Sequence, residues 1–315
     1  MTRVGVVDLG TNSTRLLVAD VDDGRVEEVE RRLQITRLGE GVDRRRLLLP
    51  TAIARVRNVL ADYRRELERL GATRTLAVAT SAVRDAENGE AFLGEVEWSY
   101  GFSTRLLSGE EEASWMFRGV ANGRPLEEET LVVDIGGGST ELVVGGPDDV
   151  VYRTSLDLGC VRLTERFLHT DPPTREELER CAYYVREQLP TDQHPAAAIG
   201  VAGTVTTLAT LDLGLEAEDP ALVHGHRMPT DVVAAGVERL SQQNIEEIRA
   251  RPGIHPERAP VIVAGAIVAL EVLRHFRLPQ LEVSERDIMH GAALAAAELP
   301  EPVEGDAPPG AYTCC

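Results

Sequence analysis

The sequence predicts an α/β protein built from two similar domains, each a mixed sheet flanked by helices, with a cleft between them. Three observations predict it. The chain has 315 residues, about twice the length of a common domain. Short Val- and Leu-rich strand patterns alternate with longer stretches whose apolar residues recur at helical spacing. One segment, 6–18 (V-V-D-L-G-T-N-S-T-R-L-L-V), aligns without gaps to another, 132–144 (V-V-D-I-G-G-G-S-T-E-L-V-V), which marks an internal duplication.

The elements follow in order. Residues 3–8 read as a strand, 10–13 as a turn, and 14–21 and 26–37 as a second and third strand. Ile53, Val56, Leu60, Leu67 and Leu70 keep helical spacing through 51–70, and Gly71 stops that helix. Residues 75–79 and 103–107 read as strands. Ser108 can cap a helix running from 109 to about 120. Residues 130–135 and 141–145 are strands around a glycine turn, and 150–157 is the third of that group. Residues 174–189 are helical, and 197–202 form a strand that enters a helix near Val205. Further helices are expected at 231–242, 258–276 and 287–297. The domains are then 1–122 and 123–286, and 299–315 is a Pro/Gly-rich tail expected to be disordered.

Charge excludes several functions. Lys+Arg total 33 against 52 Asp+Glu, a net charge of −19, and the chain holds no lysine. A G-x-x-x-x-G-K-[ST] loop, a lysine Schiff base and a kinase-type lysine are therefore ruled out. A general nucleic-acid coat needs a basic surface, so no nucleic-acid partner is expected. Coding bias alone also accounts for a lysine-free chain. Aromatics make up 4% of the residues, so the cores must be built from Val, Leu, Ile and Ala. Cys160, Cys181, Cys314 and Cys315 form neither C-x-x-C nor a zinc-like spacing. Asp8 interrupts any N-terminal signal region, and the longest apolar stretch, 261–270, is too short to span a bilayer. The expectation is a cytoplasmic protein with no membrane partner.

The duplicated turn carries the chemistry. Each copy ends a buried strand in a carboxylate, Asp8 or Asp134, and passes through glycine and hydroxyl residues into the next strand. Glycines let backbone N–H groups converge on an anion. A strand-end aspartate can hold a hard divalent cation or its water. One copy alone could be an ordinary hairpin turn, whereas two in register point to paired phosphate loops. A third glycine turn, at Gly203 and Thr204, lies between a strand and a helix, where free N–H groups favour anions; many helices are capped this way without a ligand.

These residues resemble the Ppx/GppA family (exopolyphosphatase and guanosine pentaphosphate phosphohydrolase) of the actin-like, sugar-kinase and Hsp70 superfamily. The motifs are D-L-G-T-N-S-T-R-L-L at 8–17, A-T-S-A-V-R-D-A at 79–86, S-G-E-E-E-A at 108–113 and V-D-I-G-G-G-S-T-E at 133–141. They continue with D-L-G-C-V-R-L-T-E at 157–165, G-V-A-G-T-V-T-T-L-A at 200–209 and H-G at 224–225. The resemblance implies duplicated actin-like (ribonuclease H-like) ATPase domains in the short, two-domain form, with the helix at 287–298 packing back on the first domain.

The resemblance also implies an activity: Mg²⁺-dependent (or other divalent-cation-dependent) release of orthophosphate from inorganic polyphosphate. Hydrolysis of pppGpp to ppGpp, or non-catalytic binding of a guanosine penta- or tetraphosphate, are the alternatives. Homodimerisation is left open. Glu112 falls at the family's catalytic glutamate, which orients and deprotonates the attacking water. Its neighbour Glu111 takes that place if the register slips by one; the two point about 100° apart on a helix. By chemistry alone, Glu110, Glu111 and Glu112 read as a solvated first turn facing the helix dipole. Asp134, Gly136 and Glu141, with Asp8, are the implied metal site. Asn12, Ser13, Thr14, Arg15, Gly137, Gly138, Ser139, Thr140, Gly203 and Thr204 are the implied phosphate ligands, with Arg84 and Arg258 as weaker candidates; for an arginine in so acidic a chain a surface ion pair is the ordinary fate. His224 is expected to cap the chain or touch substrate. Any family lysine along a long polyphosphate channel is absent, which makes short chains or a guanosine pentaphosphate easier to accommodate.

Overall fold

The computed structural model describes residues 1–122, 124, 126–146 and 150–300; the rest of the predicted tail, from 301, lies outside the described residues. The chain forms two compact units, one of Met1–Arg124 together with the chain from Ile288, the other of Pro125–Asp287.

The first unit is a five-stranded sheet. β1 (Thr2–Leu9), β2 (Ser13–Asp22), β3 (Arg25–Ile35), β4 (Arg74–Ala79) and β5 (Ser103–Leu106) take the order β3-β2-β1-β4-β5. The first three form an antiparallel meander, and β4 and β5 run parallel to β1. Parallel pairing needs crossovers, supplied here by the helix Pro50–Leu70 and by Ser81–Asp85 with Gly89–Tyr100. The long helix begins with Pro50 at its first turn and ends on Gly71 at φ 71°, the Pro-in, Gly-out asymmetry of helix ends. Its Val56, Leu60 and Leu67 pack with Leu16, Val18 and Phe102 of the sheet side. The helices Gly109–Ala121 and Ile288–Ala297 meet at Gly291, where a Cβ would stand 2.0 Å from the Trp115 carbonyl oxygen. A guanidinium N–H of Arg74 caps that last helix at the Ala297 carbonyl.

The second unit repeats the pattern. β6 (Thr130–Ile135), β7 (Thr140–Gly145), β8 (Val150–Leu156), β9 (Ala197–Val201), β10 (Arg227–Pro229) and β11 (Gln280–Val283) take the order β10-β11-β9-β6-β7-β8. Without β10 this is the arrangement of the first unit, again a meander with two strands parallel to its first. The duplicated actin-like (ribonuclease H-like) fold read from the sequence is therefore present in both units.

Some elements differ from expectation for identifiable reasons. The helix expected over 258–276 is a 3₁₀ turn, Pro256–Arg258, and a separate helix, Ile262–His275, because Pro260 cannot supply an interior N–H. The helix Gly89–Tyr100 went unread since Gly89 and Gly94 depress its propensity. The helix Cys160–Phe167 and the short strands β10 and β11 carry too few residues for a periodic signal. Among the described residues no helix is long and apolar enough to cross a membrane.

One buried carboxylate holds a loop together. Glu177, in the first turn of the helix Arg175–Gln188, accepts from the backbone N–H groups of His169 (2.9 Å), Thr170 (3.2 Å) and Thr174 (2.8 Å), and from both threonine hydroxyls. The Thr170 hydroxyl, then the Thr174 amide, pull its pKa from 4.5 down to about 2. A depressed carboxylate contributes stability above its unfolded pKa and loses it on acidification. Chemical denaturation at stepped pH should therefore show the wild type weakening from about pH 4.5 toward 2. Glu177→Gln should be less stable at neutral pH and flatter across that window; parallel curves for the two proteins would refute this role.

Candidate functional site

In each unit the candidate residues lie at the carboxyl ends of adjacent parallel strands, where open α/β sheets bind ligands. In the first, Asp8 lies beside Val78, and Ala79 beside Leu106. The chain leaving β1 forms the 10–13 turn, that leaving β4 carries Arg84, and that leaving β5 reaches Ser108 and Glu112. In the second, Asp134 pairs with Val201 and Gly200 with Val283, so the 136–139 turn adjoins the one at Ala202, Gly203 and Thr204.

The two turns share a construction. Gly10 N–H donates to the Ser13 carbonyl at 3.0 Å, and Gly136 N–H to that of Ser139 at 3.0 Å. In the first unit the Thr11 carbonyl accepts from Gly39 N–H (2.8 Å), and the Asn12 carbonyl from the Thr36 and Arg37 N–H groups (3.1 and 2.9 Å). In the second, the Gly136 carbonyl accepts from Cys160 N–H, and that of Gly137 from the Val161 and Arg162 N–H groups, at 2.9–3.2 Å. The Gly138 carbonyl accepts from Gly159 N–H at 3.2 Å and from Arg162 Nε at 2.8 Å. Among the described residues the amides of Gly137, Gly138 and Ser139 have no backbone acceptor, which leaves three donors of the kind that cradle an anion. The approach is close: a Cβ on Gly159 would stand 2.2 Å from the Gly137 carbonyl and the Gly138 nitrogen.

The duplicated threonines face the other way. Thr14 and Thr140 are wholly buried. Thr14 shares a 2.9 Å hydrogen bond with the Thr36 hydroxyl, and Thr140 donates to the Leu158 carbonyl at 2.9 Å. Their hydroxyls, expected on phosphate, staple each turn to the chain beyond the third strand. Strand alternation is the signal that finds this: Thr14, Leu16 and Val18 share the core face, as do Thr140, Leu142 and Val144.

The carboxylates divide by register. Asp8 and Arg15 are cross-strand partners, as are Asp134 and Glu141. Arg15 Nε and one terminal nitrogen both reach Asp8 Oδ2, at 2.8 and 2.7 Å. Asp8 is thus the counter-charge of an arginine, whereas Asp134 and Glu141 are two adjacent buried carboxylates. Glu141, 1% exposed, also accepts from the Ser155 hydroxyl at 2.6 Å. Among the described residues no group of three or more His, Cys, Asp or Glu could hold a metal ion. Asp134 and Glu141 could offer a divalent cation two carboxylates, a partial set of the kind that Mg²⁺ completes with waters and substrate oxygens.

The two glutamates play separate parts. Glu111 closes a capping box: Ser108 N–H donates to its Oε2 (2.9 Å), and its own N–H donates to Ser108 Oγ (3.2 Å). Arg105 donates to Oε1 at 2.6 Å. The Ser108 amide, then Arg105, hold its carboxyl below the usual range. Glu112, one residue on and 7% exposed, accepts from Arg84 at Oε2 (3.0 Å), while the same guanidinium nitrogen donates to the Leu107 carbonyl (2.9 Å).

The third turn is braced from within. Ala202 has φ 69°, a conformation costing about 1–3 kcal/mol for a residue with a Cβ. One terminal nitrogen of Arg258 lies within hydrogen-bond distance of the Gly203 carbonyl (3.0 Å), the Thr207 hydroxyl (2.9 Å) and Glu218 (3.2 Å), which anchors that end of the guanidinium beside the turn. Burial pushes the Cys160 thiol up to about 11, and the Cys160 N–H is bonded to the Gly136 carbonyl. His224 accepts the Glu285 N–H at Nδ1 (3.2 Å) and caps the chain there. Arg162, 6% exposed, escaped the sequence reading although it lies in the 157–165 motif.

The profile of the Ppx/GppA phosphatase family matches residues 17–298. Exopolyphosphatase 2 of Mycobacterium tuberculosis is 40% identical over 321 aligned residues, covering 94% of this chain and 99% of the relative. The bifunctional 3-dehydroquinate synthase/phosphatase of Fusobacterium nucleatum is 31% identical, covering 93% of this chain and 46% of its own length. A solved Ppx/GppA family member from Aquifex aeolicus superposes with a TM-score of 0.81 at 33% identity, covering 94% of this chain and 97% of that one. An exopolyphosphatase structure from Cytophaga hutchinsonii gives 0.87 at 24% identity over 95% and 99%, a likeness of fold. With the duplicated fold, the paired turns and this match across most of its length, the chain belongs to the Ppx/GppA phosphatase family.

Proposed function

We propose that the protein is an exopolyphosphatase that hydrolyses the terminal phosphoanhydride of inorganic polyphosphate, using a divalent cation and a water activated by Glu112. The observation that carries the reading is Glu112 itself: a nearly buried carboxylate held at one oxygen by Arg84, with its neighbour Glu111 spent on the helix cap. The relative from M. tuberculosis, matched along almost its whole length, bears the same activity in its name.

In this reading Glu112 takes a proton as the water oxygen bonds to the terminal phosphorus, and the bridging oxygen leaves with the shortened chain. The Gly137, Gly138 and Ser139 amides, with those of Asn12 and Ser13, bind phosphate oxygens, and Gly203 and Thr204 add a further helix-start donor set. Arg15, balanced by Asp8, offers its guanidinium to a phosphate. Asp134 and Glu141 would hold Mg²⁺, which supplies charge neutralisation at the phosphoryl oxygens when bound.

Three measurements test the reading. Glu112→Gln should lower kcat for orthophosphate release by about 10²–10⁴-fold with an unchanged thermal unfolding midpoint; full activity in that variant would end the assignment. Running pppGpp beside polyphosphate in the same assay shows which substrate has the higher kcat/KM. Chelation should abolish turnover and Mg²⁺ restore it, and Asp134→Asn should raise the Mg²⁺ concentration needed by roughly 10–100-fold. Arg162 acts through the turn as a positioning residue. Arg162→Ala should raise KM about tenfold, equivalent to 1.4 kcal/mol, with a smaller effect on kcat and partial rescue by Arg162→Lys. Equal losses in kcat and KM with no rescue would make Arg162 merely structural.

A further inference from the structure

Arg162 places a guanidinium directly behind one peptide of the second turn, where its Nε donates to the Gly138 carbonyl at 2.8 Å. That carbonyl and the Ser139 N–H are two ends of one peptide group. In the repeat, Gly138 and Ser139 align with Asn12 and Ser13, so the matching peptide of the first turn joins the Asn12 carbonyl to the Ser13 N–H. Two backbone N–H groups cover the Asn12 carbonyl, those of Thr36 at 3.1 Å and Arg37 at 2.9 Å.

Arg55 stands behind both of them. It lies on the long helix Pro50–Leu70. Its Nε donates to the Thr36 carbonyl at 2.7 Å, and a terminal nitrogen donates to the Arg37 carbonyl at 3.2 Å. The same nitrogen bonds Glu40 at 2.9 Å, which holds the guanidinium in place. The two carbonyls belong to peptides that join at Arg37, a left-handed residue at φ 49°. Such a conformation persists where the surroundings over-determine it. The polarity along this path runs one way. The Thr36 carbonyl and the Arg37 N–H are again two ends of one peptide. Arg55 therefore donates into that peptide, that peptide donates into the Asn12–Ser13 peptide, and the series ends on the Ser13 N–H. Hydrogen bonds in series polarise one another, and a charged first donor strengthens the first of them.

We infer that Arg55 is a positioning residue for the first turn: through two peptide groups it orients and polarises the Ser13 N–H toward a phosphate oxygen, as Arg162 does for Ser139 through one. This rests on the phosphate reading of the turns above. The duplication thus repeats a cation behind the same serine amide, although the two arginines come from unrelated places in the chain. Arg55 sits on the helix between β3 and β4, and Arg162 on the helix that follows β8. Arg55 acts from one peptide further away, so its effect is the smaller of the two.

The test follows the Ser13 amide by NMR as inorganic phosphate is titrated into Glu112→Gln protein, which reads the turn without turnover. Adding Arg55→Ala should shift the Ser13 amide proton upfield before any phosphate is present and weaken phosphate binding about three- to tenfold, the scale of one hydrogen bond. Arg55→Lys keeps the charge, but a single ammonium cannot span both carbonyls, so it should fall between; it decides by the same two readouts if the alanine variant does not fold. Arg64→Ala is the control. Arg64 lies on the same helix and donates to the Tyr100 carbonyl at 2.5 Å, and its loss should move neither readout. In turnover, Arg55→Ala should raise KM with a smaller change in kcat. A lower unfolding midpoint with the Ser13 amide and the phosphate affinity unmoved would overturn the inference and make Arg55 a clamp on the fold alone. So would a Ser13 amide that ignores phosphate while Arg55 is intact. If the wild type released no phosphate from polyphosphate, the enzymatic reading would fall, while the Ser13 titration would still decide the role of Arg55.

Discussion

Both halves of this protein depend on one constraint: a turn can offer its amides to an anion only when its carbonyls are satisfied from behind. A buried carbonyl without a partner costs about 1–3 kcal/mol. In the second unit the start of the helix Cys160–Phe167 and the Arg162 side chain together cover the Gly136, Gly137 and Gly138 carbonyls. That approach is available only because Gly159 has no Cβ to place 2.2 Å from the opposing backbone. In the first unit the chain beyond β3 serves instead, through Thr36, Arg37 and Gly39. The supporting segments differ, yet each inward-facing threonine fastens its turn to the stretch that follows the third strand.

Duplication kept the frame and changed the charge. At one register position the first unit has Arg15 and the second Glu141, each opposite an aspartate. The Asp8–Arg15 pair is neutral and turns a guanidinium toward an anion's role. The Asp134–Glu141 pair sets two carboxylates opposite one another, an arrangement that costs energy in a sheet and that the cation proposed above would relieve. A single difference at an equivalent register position therefore sets a guanidinium in one unit against a carboxylate in the other within one architecture.

Much of this was legible from residues. The repeat marked the first two strands and the turn of each unit, Gly71 ended the long helix as expected, and Ser108 caps its helix as read. The fold class followed because strands and turns are local signals. What was hidden is what local patterns do not encode. Glu111 and Glu112 are chemically identical in sequence; only the capping box and Arg84 distinguish them. For Arg258, a weaker phosphate candidate in the sequence, the contacts of one terminal nitrogen with Gly203, Thr207 and Glu218 could not be read from local pattern. Arg162 was invisible because its partner is a backbone carbonyl 24 positions earlier.

The net charge of −19 bears on approach more than on holding. At physiological salt the screening length is about 8 Å, so distant carboxylates contribute little once a phosphate has reached the turn. In the function proposed above, the energy there would come from amides that are already oriented and from arginines held by Asp8 or Glu112. Global repulsion acts before contact, on the rate of encounter. A polyphosphate that arrives with divalent cations bound carries less charge into that field. On this reading the cation that the Asp134–Glu141 pair calls for also lowers the barrier to approach, which is how so acidic a surface can serve so acidic a substrate.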